Sequence, residues 1–148
     1  MNMSEKRIEI LARGVLVEGN RLLVCRTYDD PLVYLPGGHV DFGETVRAAL
    51  CREIKEELGT PAQATRFLGG VQHTFIQKGE RHWEMNLVFE MRIPGLQPPG
   101  APVAAEHHLS FDWVSLDRLR AARLEPAVLC DRLPQWLNHE TVERWAEP

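Results

Sequence analysis

The strongest constraint on this chain is the stretch of residues 38–60, which reads GHVDFGETVRAALCREIKEELGT. A Pro-Gly-Gly turn opens it, and a helix-forming run rich in glutamate follows. We expect a helix that begins at Glu44 or Thr45, where negative charge suits the helix dipole. Gly59 is a natural C-cap, and Pro61 prevents the helix from resuming. The stretch therefore predicts a loop, a helix and a sharp stop.

Three glutamates in this helix lie on one face. Glu53, Glu56 and Glu57 are spaced i, i+3 and i+4, so their carboxylates are neighbours on the helix surface. Like charges at this spacing repel, and a cation should compensate for them. A divalent metal held by oxygen ligands would do this better than Lys or Arg, because it places more charge at one point. The spacing thus favours a metal site.

The apolar residues of the helix predict which face is buried. Val46, Leu50, Ile54 and Leu58 recur at every fourth position and form a stripe. The glutamates lie at the edge of that stripe, which would place them at a partly desolvated cleft wall. The alternative is an exposed helix laced with ion pairs. We disfavour it because such a helix would need neither the Gly-Gly turn nor carboxylates gathered on one side.

Composition limits the other possibilities. The 148 residues suit one domain covering residues 1–148. A net charge of −4 with no basic run argues against a nucleic-acid duplex as partner. No apolar run approaches the ~18 residues of a membrane span, and the N-terminus lacks the apolar core of a signal peptide. The three cysteines have no metal-ligand spacing, so we expect buried free thiols in a reducing cytoplasm.

The rest of the chain predicts strands on both sides of the acidic helix. We expect strands at residues 8–17, 21–28, 32–35, 64–77, 82–93 and 109–114. The first two should form a hairpin, and Gly69-Gly70 should mark a bulge or bend. Ser115 should cap a short helix, and residues 126–137 should form a second one. Strands alternating with helices predict an α/β fold, specifically an α/β/α sandwich around a mixed sheet.

The acidic stretch resembles a known signature. Gly38, Glu44, Arg52-Glu53-Ile54, Glu56-Glu57 and Gly59 match the Nudix hydrolase motif G-x5-E-x7-R-E-U-x-E-E-x-G-U, where U is bulky and apolar. Only the last position departs, because Thr60 replaces the apolar residue, which we expect to affect packing rather than chemistry. The resemblance implies the same α/β/α fold. It also implies a metal-dependent hydrolase that cuts a nucleoside diphosphate linked to another group by attack of water at phosphorus.

The resemblance assigns the metal site residue by residue. Glu56 and Glu57 resemble the main ligands, and Glu53 resembles either a ligand or the general base. The carbonyl of Gly38 resembles a further ligand. An oxygen-only site of this kind suits Mg²⁺, or alternatively Mn²⁺.

Other positions are candidates for catalysis and substrate binding. Arg52 resembles the residue that orients Glu53, and Glu44 resembles a polar support of the loop or an indirect ligand. Glu106 is a candidate base from a later loop, with a solvated loop glutamate as the alternative. The candidate substrate-binding residues are Arg26, Gly37, Gly38, Glu44 and Trp83. Arg26 would contact a phosphate or face solvent, and Trp83 would stack a base or pack in the core.

Three functional hypotheses follow. The first is a pyrophosphohydrolase acting on a nucleoside triphosphate, a nucleotide sugar or a dinucleotide. The second is a nucleotide-sensing module that binds without cleaving. The third is a metal-dependent isomerase on the same fold, which would need a catalytic Cys and Glu outside the motif. A small-molecule nucleotide is the expected partner, and edge strands are compatible with a homodimer.

Overall fold

The structure is a computed structural model, and it describes residues 5–148. Residues 5–148 contain ten strands, two α-helices and one turn of 3₁₀-helix at Leu116–Arg118. The strands are β1 Glu9–Val15, β2 Val17–Glu18, β3 Arg21–Thr27, β4 Val33–Tyr34, β5 Gly37–His39, β6 Gln63–Gln77, β7 Glu80–Arg92, β8 Leu109–Ser115, β9 Leu124–Glu125 and β10 Trp145–Ala146. The helices are α1 Val46–Leu58 and α2 Leu129–Leu137.

The strands form two mixed sheets. The first sheet has the order β10-β6-β7-β1-β5, with β1 parallel to β7 and the β6–β7 pair antiparallel. In the second sheet, β3 pairs with β2, β4 and β8, and β4 pairs in parallel with β9. The predicted mixed sheet is therefore divided in two.

The predicted hairpin between the first two strands is correct only at its tip. β2 and β3 pair around the turn, but β1 joins the other sheet and pairs with β5 and β7. The chain changes sheets at Leu16, whose carbonyl still accepts a hydrogen bond of 3.0 Å from the Leu23 N–H. One continuous stretch of aliphatic residues thus supplies strands to both sheets.

The two helices cover opposite faces of the strands, which confirms the α/β/α arrangement. On one side Leu50 and Ile54 of α1 are fully buried against residues such as Phe89 of β7 and Trp113 of β8. On the other side Leu133 and Trp136 of α2 pack against a second apolar cluster. Alternation along β3 serves both cores, since its successive side chains point to opposite faces.

The acidic helix begins and ends as the sequence predicts. Thr45 is the N-cap, and its hydroxyl accepts a 3.1 Å hydrogen bond from the Ala48 N–H. Gly59 ends the helix in the left-handed conformation, with φ 72°, and donates to the Lys55 carbonyl. The motif is therefore held between two firmly defined ends.

Three local predictions need correction. The register of β6 against β7 shifts between Ala64 and Gly69, so the irregularity precedes the predicted Gly69-Gly70 position. Ser115 stands at the start of a single 3₁₀ turn, but its hydroxyl contacts Asp117 instead of capping the backbone. α2 begins at Leu129, not residue 126, and no side chain caps it. No described helix is long and apolar enough to cross a membrane.

The cysteines follow the prediction in part. All three are free among the described residues, and Cys25 is buried. Cys51 of α1 and Cys130 of α2 are partly exposed.

Candidate active site

Arg52 is the centre of the charged network on α1. Its guanidinium donates to both oxygens of Glu44, at 2.8 Å each, and to the carboxylates of Glu53 and Glu56, at 3.1 Å each. It also donates to the His39 carbonyl at 2.9 Å. The clustered glutamates were expected to need a compensating cation, and Arg52 supplies one for two of them.

Glu44 is bonded to the loop that precedes α1 as well as to Arg52. Besides Arg52, it accepts a 2.9 Å hydrogen bond from the Asp41 N–H. These hydrogen bonds lower the pKa of the Glu44 carboxyl to about 2, and those from Arg52 have the largest effect.

Glu57 is set apart from the other two glutamates. Its side chain points inward, the residue is only 6% exposed, and Oε2 has no hydrogen-bond partner among the described residues. Burial raises its pKa to about 8, an effect that the charge of Arg13 opposes and that of Glu53 reinforces. A buried carboxylate oxygen without a partner is costly, so this group is poised for a cationic ligand.

The Pro-Gly-Gly segment is predicted as a turn, but Gly37 and Gly38 belong to β5; this segment, called the glycine turn below, lies directly against Glu53. A side chain at Gly38 would overlap the Glu53 carboxylate, and one at Gly37, where φ is 138°, would overlap the backbone of Ala12. Both positions therefore require glycine for close approach. The turn brings backbone polar groups to the acidic edge of α1.

Arg13 is the residue that sequence reasoning missed. It lies on β1 and donates to Asn86 Oδ1 and to the Leu35 carbonyl, each at 3.1 Å, and to the Gly37 carbonyl at 3.5 Å. It thereby joins β1, β7 and the glycine turn beside Glu57. The available signal was a lone charge in the middle of the otherwise aliphatic segment 10–17.

A cavity of 590 Å³ opens beside Glu57, between the two sheets. Arg13, Gly37 and Glu57 line one part of it, and Arg26 of β3 is also on its wall. This volume lies in the range of small-molecule sites. Of the predicted substrate-binding residues, the structure places Arg26 and Gly37 on this cavity.

Trp83 does not line this cavity, contrary to its predicted place in the substrate site. Alternation along β7 points Glu84 and Asn86 toward the cavity and Trp83 to the opposite face, where it borders a separate groove with Arg81. The aromatic wall of the cavity is provided by His73 and Phe75 of β6 instead. Their rings stack at 5.0 Å between centroids.

Glu106 lies close to the acidic edge of α1. The loop that carries it is attached to the helix by a 2.7 Å hydrogen bond from the Ala105 N–H to the Glu57 carbonyl. The Glu106 charge contributes to the raised pKa of Glu57, and the side chain pairs with His108 at 3.3 Å. Proximity keeps Glu106 a candidate base.

The residues present fit a divalent cation. No three His, Cys, Asp or Glu side chains of residues 5–148 already converge as metal ligands would, since Arg52 bonds Glu53 and Glu56 while Glu57 points inward. The Glu57 oxygen that has no partner among these residues, and the glycine turn pressed against Glu53, would nevertheless offer oxygen ligands to such an ion. All the donors are oxygens, as Mg²⁺ prefers.

Known proteins share this fold and this sequence pattern. The MutT protein from Methanosarcina mazei Go1 superposes with a TM-score of 0.68 at 21% identity, covering 94% of this chain and 99% of that one. The ADP-ribose pyrophosphatase of Methanocaldococcus jannaschii is 39% identical over 109 residues, covering 72% of this chain and 63% of that protein. A Bacillus subtilis protein provisionally named 8-oxo-dGTP diphosphatase is 41% identical over 105 residues, covering 71% and 64%. The matches therefore span just under two thirds of the length of these two relatives.

The fold and the acidic helix beside a glycine turn place the chain in a class of α/β/α domains with a shared motif. The model of the NUDIX domain matches residues 9–132. The chain belongs to the NUDIX domain family.

Proposed function

We propose that this protein hydrolyses a pyrophosphate bond in a nucleotide-linked substrate with the help of a divalent cation. The observation that carries the proposal is the buried Glu57 carboxylate, whose unpartnered oxygen lies beside a cavity of nucleotide size. Membership of the NUDIX domain family supports it, as do the names of the relatives, an ADP-ribose pyrophosphatase and an 8-oxo-dGTP diphosphatase.

Mg²⁺, or Mn²⁺ in its place, would be held by Glu53, Glu56, Glu57 and the carbonyl of Gly38. When bound, such an ion neutralises diphosphate charge and makes water a better nucleophile. The side chain of Glu56 is 49% exposed, so packing does not prevent it from turning toward the ion.

The chain's own cations would orient the diphosphate. Arg13 lies beside Glu57, and Arg26 makes no ion pair with any described residue. Both guanidinium groups line the cavity and are suited to phosphate oxygens. We infer that the diphosphate lies between them and the glycine turn.

Two carboxylates compete for the role of general base. Glu53 is held by Arg52 against the glycine turn and is 17% exposed. Glu106 lies on the loop tied to the end of α1. Either would accept a proton from the attacking water. Separate Gln variants at the two positions would distinguish them, because the base variant should lose turnover without losing substrate binding.

The properties of Cys25, the cysteine that lines the cavity, argue against the isomerase hypothesis. Burial raises the pKa of its thiol to about 12, and the nearby Glu57 charge adds to the effect. A thiol held in its protonated form is a poor nucleophile. A cytoplasmic location and a homodimer stay predictions.

The decisive test is an activity screen. Purified protein with Mg²⁺ or Mn²⁺ should release a nucleoside monophosphate from ADP-ribose, 8-oxo-dGTP, another triphosphate or a dinucleoside polyphosphate, as measured by chromatography. Glu57→Gln should abolish turnover, and Glu18→Gln, a change at an exposed strand position, should leave it unchanged. Full activity in Glu57→Gln would contradict the proposal. Binding without turnover across the panel would favour the sensing module.

A further inference from the structure

Two carboxylates in the cavity have no role in the proposed hydrolysis. Glu84 of β7 is 8% exposed and reaches the cavity from the first sheet. Glu125 of β9 is partly buried and reaches it from the second sheet. Each sheet therefore contributes one acidic residue to the lining of the same cavity.

The surrounding residues place these two groups near each other. His73 is opposite Glu84 in the β6–β7 pairing, and Glu125 is opposite Tyr34 in the β4–β9 pairing. Both carboxylates act electrostatically on His73: burial lowers the pKa of its imidazole, and their charges partly offset this. His73 lines the cavity together with both acids and is close enough for their charges to act on it.

Each carboxylate is fixed through one oxygen. Asn86 donates to Glu84 Oε2 at 3.3 Å, and Asn86 is itself held by Arg13. The Ala127 N–H donates to Glu125 Oε2 at 3.1 Å. Among residues 5–148 these two hydrogen bonds are the only ones to the two carboxylates, so the Oε1 atom of each is available as an acceptor.

Charge decides which end of a nucleotide these acceptors would meet. An ionised carboxylate accepts hydrogen bonds and donates none. It also repels phosphate oxygens, which are drawn to Arg13 and Arg26 instead. The acceptors therefore face the uncharged, hydrogen-bond-donating part of the ligand, while the diphosphate lies by the glycine turn.

We propose that Glu84 and Glu125 select the substrate by accepting hydrogen bonds from neighbouring donors on its nucleoside or sugar. Two groups carry that chemistry, the amino edge of a guanine and the vicinal diol of a ribose. This inference rests on the proposed function, because it assumes that the cavity binds a nucleotide. The stacked rings of His73 and Phe75 supply a flat wall against which such a group would lie.

The test measures binding rather than turnover. The probes are α,β-methylene analogues of GTP, of ITP, which lacks the amino group, and of ADP-ribose, each with Mg²⁺ in a calorimeter. The wild type should bind at least one of the GTP and ADP-ribose analogues. Glu84→Gln and Glu125→Gln should each weaken the preferred analogue about tenfold, as expected for losing a hydrogen bond to a charged group. Glu18→Gln is the matched control, and melting curves verify that every variant is folded.

The two sources of donors give different results. If the guanine edge is recognised, the GTP analogue binds more tightly than the ITP analogue, and Glu84→Gln or Glu125→Gln removes that preference. A merely structural role would not remove it. If the diol is recognised, the GTP and ITP analogues, which both carry a ribose diol, bind equally tightly, and every analogue that binds loses affinity in both variants. Unchanged affinity in both variants, or no binding of any analogue at millimolar concentration, would overturn the proposal.

The result is separable from that of the activity screen. A protein that binds the analogues with the expected losses but cleaves no substrate would refute the hydrolase and leave this assignment standing. If the protein cleaves its substrate but both variants bind the analogues as tightly as wild type, the hydrolase proposal stands and the assignment of Glu84 and Glu125 is refuted.

Discussion

Arg52 binds Glu44 through two hydrogen bonds, from Nε to Oε2 and from Nη2 to Oε1, each 2.8 Å long. This bidentate pair joins the middle of α1 to the loop that precedes it. The same guanidinium donates hydrogen bonds to Glu53 and Glu56. The positions of these two carboxylates therefore depend on an arginine whose own side chain is held by the loop before the helix. We therefore propose that Arg52 is a positioning residue.

Replacing Arg52 with lysine should reduce activity more than stability. An ammonium group cannot reproduce the planar fork, so Glu53 would lose its fixed orientation. We expect kcat to fall by about ten- to a hundredfold, as is usual when a positioned catalytic group is released. Steady-state kinetics on the best substrate of the screen checks this. Arg120→Lys, at an exposed pair with Asp131, is the control. Equal kinetics in both variants would contradict the role.

The Glu44 carboxyl should make stability depend on pH in acid. Hydrogen bonds from Arg52 lower its folded-state pKa to about 2, against an ordinary value of 4.5. Its contribution is therefore fully present above pH 4.5 and is lost as the pH falls toward 2. We expect the difference in urea midpoint between wild type and Glu44→Gln to shrink from pH 6 to pH 2. A difference that stays constant over this range would show that the ionised pair does not contribute.

Gly38→Ala should damage the site without unfolding the chain. The added methyl group would overlap the Glu53 carboxylate and force that side chain away from the turn. We expect activity to fall at least about tenfold, because small displacements of positioned groups are costly. Gly100→Ala is a matched control, since its methyl group would meet nothing within 4 Å. Kinetics and melting curves of both variants decide the matter, and a fully active Gly38→Ala would contradict it.

Glu57→Gln should stabilise the ion-free protein while it removes activity. The raised pKa, about 8, means that the unfolded chain releases this proton near pH 4.5 while the folded chain retains it. Wild type is therefore penalised progressively as the pH rises from 4.5 to 8, and the neutral amide is not. With EDTA present, the gain in melting temperature of the variant over wild type should be larger at pH 8.5 than at pH 5. An equal difference at both values would contradict the burial argument.

Trp136 should be a major source of stability. It is fully buried, donates to the Glu143 carbonyl at 3.1 Å and packs on Gly69. Trp136→Ala should cost about 3–5 kcal/mol of unfolding free energy, the usual loss for a buried aromatic residue. Urea unfolding measures it. Trp83→Ala, at a residue 40% exposed, should cost much less. Similar losses at both positions would show that burial is not the determinant.

The acidic helix could be predicted from local sequence patterns. Thr45, Gly59 and the stripe containing Leu50 and Ile54 are determined by interactions within a few residues, and the structure places all of them as expected. The alternation along β7 was predictable for the same reason, since Glu84 and Asn86 are buried on one face.

The features that could not be predicted depend on pairing between strands that are distant in the sequence. Nothing near Leu16 in the sequence indicates that the chain passes from one sheet to the other there. Alternation put Trp83 on a definite face of β7, but which face borders the cavity depends on strands distant in the chain. Arg13 was missed because its partners, Leu35 and Asn86, are brought to it only by the sheet.

The division of the cavity between two sheets has an evolutionary consequence. One recognition wall, at Glu125, belongs to a strand of two residues, far in the chain from the acidic helix. Substitutions in that short segment could change the preferred nucleotide in descendants of such a protein. The residues proposed to hold the metal and act on the phosphate would stay unaltered. New specificities would then arise by few mutational steps and with little risk to the chemistry.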